Sequence, residues 1–292
     1  MRASISVTGY SWPGGPTEIA ARLNDIVRAV DDTGVDTVWV ADHLLQADPT
    51  SSPEAEMLEA YTTLGFLAAR TERIRLGTLV SSVTSRPPAL LVKAVTTLDV
   101  LSSGRAWLGI GAGYHEYEAR ALGLLLPPVA ERFERLEETL RIANQMWSAD
   151  ELPFDGKHYR LTRTLNSPQA VHRPRPPILI GGAGERRTLR LVAKYADACN
   201  LFDIPDGGQT IRNKLAVLAR HCAEVGRPYE EIEKTVSTRL SPGETPAEFV
   251  ARAATLAALG IEHLIVITSG SWAAQELAAL VAAVPGLAQV SA

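Results

Sequence analysis

The chain has 292 residues, 29 basic against 33 acidic side chains and a net charge of -4, with 46% hydrophobic and 21% charged residues. That composition supports a large core, excludes a disordered chain, and leaves no electrostatic footprint for nucleic acid or an anionic membrane. Only Cys199 and Cys222 are present, too few for a disulfide framework, and neither a signal-peptide run nor the ~18 apolar residues of a membrane span occurs, so the expected setting is the cytoplasm.

Ile5 to Thr8 reads as a first short strand. A helix follows from an N-cap at Thr17, with Ile19, Leu23, Ile26, Val27 and Val30 on one face and Gly34 as its stop. Thr37 to Ala41 is a second strand ending in Asp42-His43, and the next helix is expected from Pro53-Glu54 to about Arg70. Ile74 to Ser82 makes strand three, and a helix bearing Leu90, Leu91, Ala94, Val95, Leu98 and Leu101 follows Arg86-Pro87-Pro88. Strand four, Ala106 to Ile110, is almost entirely apolar, as a strand buried on both faces should be. Gly109, Gly111 and Gly113 stand there at alternate positions, which permits close approach of a flat or bulky group. Tyr114, His115, Glu116, Tyr117 and Glu118 then place aromatic and titratable groups at its carboxyl end.

A long helix from Glu131 to Trp147 precedes a segment, about 148–177, that breaks the rhythm. Its Phe154-Asp155-Gly156-Lys157-His158-Tyr159 run is a hairpin signal, expected as an inserted flap rather than a second domain. Strand five is Ile178 to Ile180, followed by the Gly181-Gly182-Ala183-Gly184 turn and a helix from Glu185 to Tyr195. Strand six is Ala198 to Phe202, strand seven Lys234 to Leu240 and strand eight His263 to Thr268, with helices between and after them. Thr245-Pro246-Ala247-Glu248 is a capping box with proline at the first helical position. Eight strand–helix units in one series predict a single (β/α)8 TIM barrel over residues 1–292; a doubly wound open sheet is the structural alternative.

In such a barrel the working face lies at the carboxyl ends of the strands. Tyr10, Trp12, Asp42, His43, Ser81, Ser82, Thr84, Tyr114, His115, Asp203, Arg239, Ser269 and Trp272 fall there, a set whose aromatics favour a planar ligand. His43 is the sharpest candidate, because a histidine at a strand end exchanges protons near neutral pH and the adjacent Asp42 can orient its loop. A loop histidine held by backbone hydrogen bonds remains the structural alternative. The six histidines show neither HxH nor HExxH spacing, so no metal site is expected. Gly181 to Gly184 opening a helix is a ready anion site, with Arg186 or Arg187 as countercharge, or else a turn whose glycines merely redirect the chain.

The stretches LGTLVSSVTSRPPALLVKAVTTLDVLSSGRAWLGIGAGYHEYE, FDGKHYRL and PPILIGGAGERRTLRLVAKYADACN together resemble the luciferase-like monooxygenase superfamily, and within it the branch that uses the deazaflavin coenzyme F420. The resemblance implies a barrel with the flavin or deazaflavin ring over its carboxyl face, His43 beside the ring, and the phosphate near the turn from Gly181 to Arg186. It also implies a cis non-prolyl peptide in a bulge near Leu79-Val80. The cofactor-binding set it suggests is Asp42, Leu79, Val80, Ser81, Gly109, Gly111, Gly113, Tyr114, His115, Gly181, Gly182, Gly184, Glu185 and Arg186. One departure concerns substrate: where the glucose-6-phosphate dehydrogenases of the family carry a glutamate after the second glycine of strand four, this chain has Ala112, which argues against sugar-phosphate oxidation.

The expected function is therefore hydride transfer between deazaflavin C5 and a small organic substrate, with homodimerisation as the family habit. The alternatives are an FMN-dependent monooxygenase using reduced flavin and oxygen, and a non-catalytic flavin or deazaflavin binder.

Overall fold

A computed structural model describes residues 1–148 and 150–291. The innermost layer is parallel: β1 (Arg2–Val7), β2 (Thr37–Val40), β3 (Arg75–Thr78), β4 (Ser81–Ser82), β5 (Ala106–Gly111), β8 (Ile178–Gly181), β9 (Ala198–Phe202), β10 (Glu233–Thr238) and β11 (His263–Ile267). Pairing runs from β3 through β2, β1, β11, β10, β9 and β8 to β5, and a further β3–β5 ladder closes the ring. Since β3 and β4 together are the expected third strand, this is a closed eight-stranded (β/α)8 barrel.

The ring closes because its strands can be buried on both faces. All four residues of β2 and all six of β5 are buried, as near-continuous apolar runs in a parallel sheet require. Helices α1 (Pro16–Asp31), α2 (Ala60–Ala68), α3 (Pro88–Leu101), α4 (Glu116–Leu122) and α5 (Val129–Trp147) cover the first half. Beyond them lie α6 (Thr188–Tyr195), α7 (Gln209–Val225), α8 (Pro246–Ala257) and α9 (Ala274–Leu287). On α1 the buried residues are Ile19, Leu23, Ile26, Val27 and Val30, the stripe its helical period dictates. Thr245 and Glu248 form the reciprocal capping box at the start of α8.

Several boundaries move for local reasons. The second helix begins at Ala60, not Pro53, because Glu59 supplies the cap: its carboxylate accepts from the Thr62 amide at 2.7 Å. The sixth begins at Thr188 rather than Glu185. Strand three is not continuous either. Gly77 pairs with Trp107 and Ser81 with Ile110, so the register slips by one residue between β3 and β4, and the Leu79–Val80 peptide within that bulge is cis.

The hairpin β6 (Phe154–Asp155) and β7 (Arg160–Leu161) forms where Asp155-Gly156 signals a turn, with the Gly156 amide donating to Tyr159 at 2.9 Å. Glu138 of α5 fastens it by accepting from the amides of Lys157, His158 and Tyr159. At the amino-terminal floor of the barrel His263, 1% exposed, bridges Ser4 at 2.5 Å and Glu233 at 2.7 Å. Ser4 Oγ also accepts from the Thr37 amide at 3.1 Å and Glu233 pairs with Arg2 at 2.5 Å, so this serine–histidine–glutamate row is tied into the floor as a structural plug.

Candidate active site

The carboxyl ends of the strands open into a cavity of about 600 Å³. Ser6 and Thr8 come to it from the end of β1, His43 from β2, Leu79, Val80 and Ser82 from the bulged third strand, and Gly111 to His115 from the end of β5. Gly181 to Gly184 and Thr188 border it at the end of β8, and Asn200, Phe202, Ser237 and Ile267 at the ends of the last three strands. Its outer wall is Ala119, Leu124, Leu125, Leu126, Val129 and Phe133, all from one short stretch of chain.

The floor is shaped by glycine. Val80 reaches between two strands so closely that a Cβ on Gly111 would lie 2.9 Å from its Cγ2, and one on Gly181 2.9 Å from both methyls. Side chains on either strand would lift this surface, so their absence leaves a smooth apolar patch facing the cavity. Gly109 plays a different part. A Cβ there would lie 1.7 Å from the Thr78 carbonyl oxygen, and Gly109 itself does not reach the cavity. It is the glycine that lets the bulge pack, not a lining residue.

His43 stands at the wall, its ring edge-on to Tyr114 at 5.6 Å and to His115 at 5.4 Å. Nδ1 lies 3.1 Å from Glu118 Oε2, and the Tyr114 hydroxyl is 3.5 Å from Nε2. Glu118 Oε1 accepts from the amides of Leu44 at 2.5 Å and Leu45 at 3.0 Å. Burial pushes the Glu118 carboxyl upward, but His43 and the two amides outweigh it and bring it down to about 2. His115 Nδ1 is buried with no hydrogen-bond partner and lies 3.8 Å from Glu118 Oε2. Among the described residues His43, His115 and Glu118 are the one group that offers ligand atoms within 4.8 Å of each other. Sequence spacing does not show this cluster, because it joins the loop after β2 to the start of α4.

Of the remaining expected residues, Leu79, Val80, Gly111, Gly113, Tyr114, His115, Gly181, Gly182 and Gly184 border the cavity, whereas Asp42, Ser81, Gly109, Glu185 and Arg186 do not. Asp42 is turned inward, held by Arg86 at 2.5 and 3.0 Å and by the Ser81 hydroxyl at 2.5 Å, so these two residues brace the loop behind His43. Because α6 starts only at Thr188, Glu185 and Arg186 lie on an exposed turn, where Glu185 pairs with Lys214 at 2.7 Å. Arg187 lies over the Phe133 ring at 5.6 Å.

The cation that does border the cavity is Arg132 of α5, with one Nη donating to the Gly113 carbonyl. Its Nε is buried and has no partner, a costly state for a charged donor unless a ligand completes it. The flap contributes no lining residue, because Glu138 ties it down along α5. Tyr10 is fully buried and also lies outside the lining. Glu118 belongs to the titratable run at the end of strand four, but nothing in the sequence distinguishes it from Glu116, whereas Arg132, Phe133 and the leucines 124–126 lie beyond any strand end. In the sequence Arg132 looks like the charged face of an ordinary amphipathic helix.

Fold and cavity together define a (β/α)8 barrel with a largely apolar cavity at its carboxyl face. More narrowly, the chain belongs to the luciferase-like monooxygenase family, whose model matches residues 1–282. An F420-dependent glucose-6-phosphate dehydrogenase of Kineococcus radiotolerans is 32% identical over 78% of this chain and 66% of its own length. One from Amycolatopsis mediterranei is 31% identical over 74% of this chain and 63% of its own length. The matches thus span just under two thirds of these relatives. Among solved structures, an F420-dependent secondary alcohol dehydrogenase in complex with an F420–acetone adduct superposes with a TM-score of 0.81 at 17% identity, covering 98% of this chain and 99% of that one. Monooxygenase RslO1 from Streptomyces bottropensis does so with a TM-score of 0.80 at 17% identity, covering 98% of each chain. At those identities the two superpositions establish the fold.

Proposed function

We propose that this protein is an F420-dependent oxidoreductase that moves a hydride between deazaflavin C5 and a small organic substrate. The observation that supports it most is the pairing, in one cavity, of a smooth Val80 floor with an arginine whose buried Nε lacks a partner. A planar ring linked to a phosphate answers both features, since the ring needs a flat apolar seat and the phosphate supplies the missing acceptor. That the relatives from Kineococcus and Amycolatopsis are F420-dependent dehydrogenases supports the deazaflavin over other flavins.

Val80, Gly111 and Gly181 would seat the ring, and Arg132 with the amides of Gly181 to Gly184 would hold the phosphate. When bound, F420 supplies the hydride donor or acceptor. The chain supplies orientation, a dry pocket and proton handling. His43 borders the cavity and exchanges the proton that must accompany hydride transfer to or from a carbonyl. The outer wall of Leu124, Leu125, Leu126, Val129 and Phe133 excludes water from the reacting face and suits an apolar substrate. With Ala112 on the lining, and with Arg132 assigned to the cofactor phosphate and no second arginine or lysine among the described lining residues, the cavity favours an unsaturated carbonyl compound or an alcohol over the sugar phosphate of the curated relatives.

The deciding experiment is titration of the protein with oxidised F420 and, separately, FMN, following quenching of cofactor fluorescence. Micromolar binding of F420 with weaker FMN binding is the expected result. Preference for FMN would replace this reading with a reduced-flavin monooxygenase, and binding of neither would refute the cavity as a cofactor site.

A further inference from the structure

We infer that Glu118 is a positioning residue for proton transfer, its carboxylate holding His43 as the Nδ1–H tautomer so that Nε2 is the nitrogen that exchanges a proton at the cavity. The inference rests on the role given to His43 above, but its geometry stands apart from the identity of the cofactor.

Glu118 reaches His43 from a different element, the start of α4, and its two oxygens are divided between two tasks. Oε1 accepts from the Leu44 and Leu45 amides, the two that follow His43 in the chain, and so fixes the path of the loop. Oε2 meets the ring at Nδ1. An ionised carboxylate only accepts hydrogen bonds, so the hydrogen between them belongs to Nδ1. In a neutral ring Nε2 is then bare, and the Tyr114 hydroxyl, 3.5 Å away, is placed to donate to it. The groups facing His43 are thus Glu118 from α4 and Tyr114 and His115 from the end of β5. His115 Nδ1, 3.8 Å from Oε2 and without a hydrogen bond, does not compete for the carboxylate. Where a buried acid fixes the tautomer of a catalytic histidine, losing the acid costs rate far more than it costs substrate binding.

The glutamine variant separates this role from simple bracing. In Glu118→Gln the side-chain carbonyl can still accept from the two loop amides, while its NH2 group faces Nδ1 and donates to it. The ring hydrogen must then move to Nε2. The test is histidine-selective 15N NMR of the full chain at a pH where the ring is neutral, with the His43 signals assigned by their loss in His43→Gln. Wild type should show a protonated Nδ1 and a bare Nε2, and Glu118→Gln the reverse. Single-turnover hydride transfer in Glu118→Gln should fall by roughly 10²- to 10³-fold while KM and the F420 Kd stay within about threefold. An Nε2–H ring in wild type, or an unchanged tautomer in a folded Glu118→Gln, overturns the dyad. Should the glutamine variant not fold, the wild-type tautomer alone decides. A His43→Gln variant as active as wild type would instead overturn the functional reading, and with it the proton-transfer role, while the tautomer measurement still reports the pairing.

Discussion

Replacing Arg132 with methionine keeps the length and apolar stem of the side chain and removes its charge and donors. In the wild type, one guanidinium nitrogen holds the Gly113 carbonyl and the buried Nε has no partner within the protein. A hydrogen bond to a charged group contributes about 1.5–3 kcal/mol. At about 1.4 kcal/mol per tenfold, its loss should raise the F420 Kd roughly 10- to 150-fold. Arg132 also steadies Gly113, so weakened binding alone would not locate the effect at the phosphate. The same titration with the riboside of the deazaflavin, which carries the ring and ribityl chain but neither the phosphate nor the tail beyond it, separates the ring seat from the phosphate end. The expected outcome is a large change for F420 and less than about a threefold change for the riboside, since the seat around Val80 is untouched. Equal weakening of both ligands would refute the phosphate role and reassign Arg132 to holding the Gly113 loop.

Gly109→Ala and Gly111→Ala should part company in thermal melts and titrations. The first drives a methyl into the Thr78 carbonyl and should destabilise the barrel by about 1–3 kcal/mol or more, whereas the second meets only a Val80 methyl at 2.9 Å and should spare the fold while weakening cofactor binding. His43→Gln should lower the rate of hydride transfer by roughly 10²- to 10⁴-fold with F420 binding retained, measured under single turnover. Acid stability should depend on Asp36. Burial pushes its carboxyl up, but His263, Arg75 and Thr37 outweigh this and lower it from 3.8 to about 2. Being depressed on folding, it stabilises the native state above about pH 4, and that contribution disappears as pH falls through about 2. Asp36→Asn should therefore flatten the loss of melting temperature between pH 5 and about 2; an unaltered slope would show that other carboxylates dominate.

Much of this architecture is legible in the sequence because parallel strands buried on both faces leave unmistakable apolar runs, and each is followed by an amphipathic period. The hairpin forms where Asp155-Gly156 signals a turn, and the cis bond at Leu79–Val80 lies where the family resemblance, rather than any local pattern, implies it. What the sequence hides is direction. Asp42 and His43 are neighbours at one strand end, yet one carboxylate turns inward to Arg86 and Ser81 while the other ring turns to the cavity. Arg186 sits in the turn where an anion site is expected, but the helix starts later and leaves it outside, and the arginine that borders the cavity stands on α5. Glu118 meets His43, and Arg132 meets Gly113, only through the fold, in contacts that no local spacing encodes. The start of α2 is misjudged for a related reason: Pro53 is a generic helix signal, whereas Glu59 is the residue that forms the cap.

The apolar wall of the cavity comes from one contiguous stretch, residues 119 to 133, that crosses the mouth between α4 and α5. Gly123 ends α4 in the left-handed conformation with nothing near its missing side chain, so the turn is set by the backbone alone. Within it only Arg132 and Leu126 reach back to Gly113, so Leu124, Leu125 and Val129 can vary in size and polarity without disturbing Val80 or the glycines beneath. On the proposed reading, the part of the cavity that would meet a substrate is thus carried by one contiguous segment, separate from the glycine floor that would seat the ring.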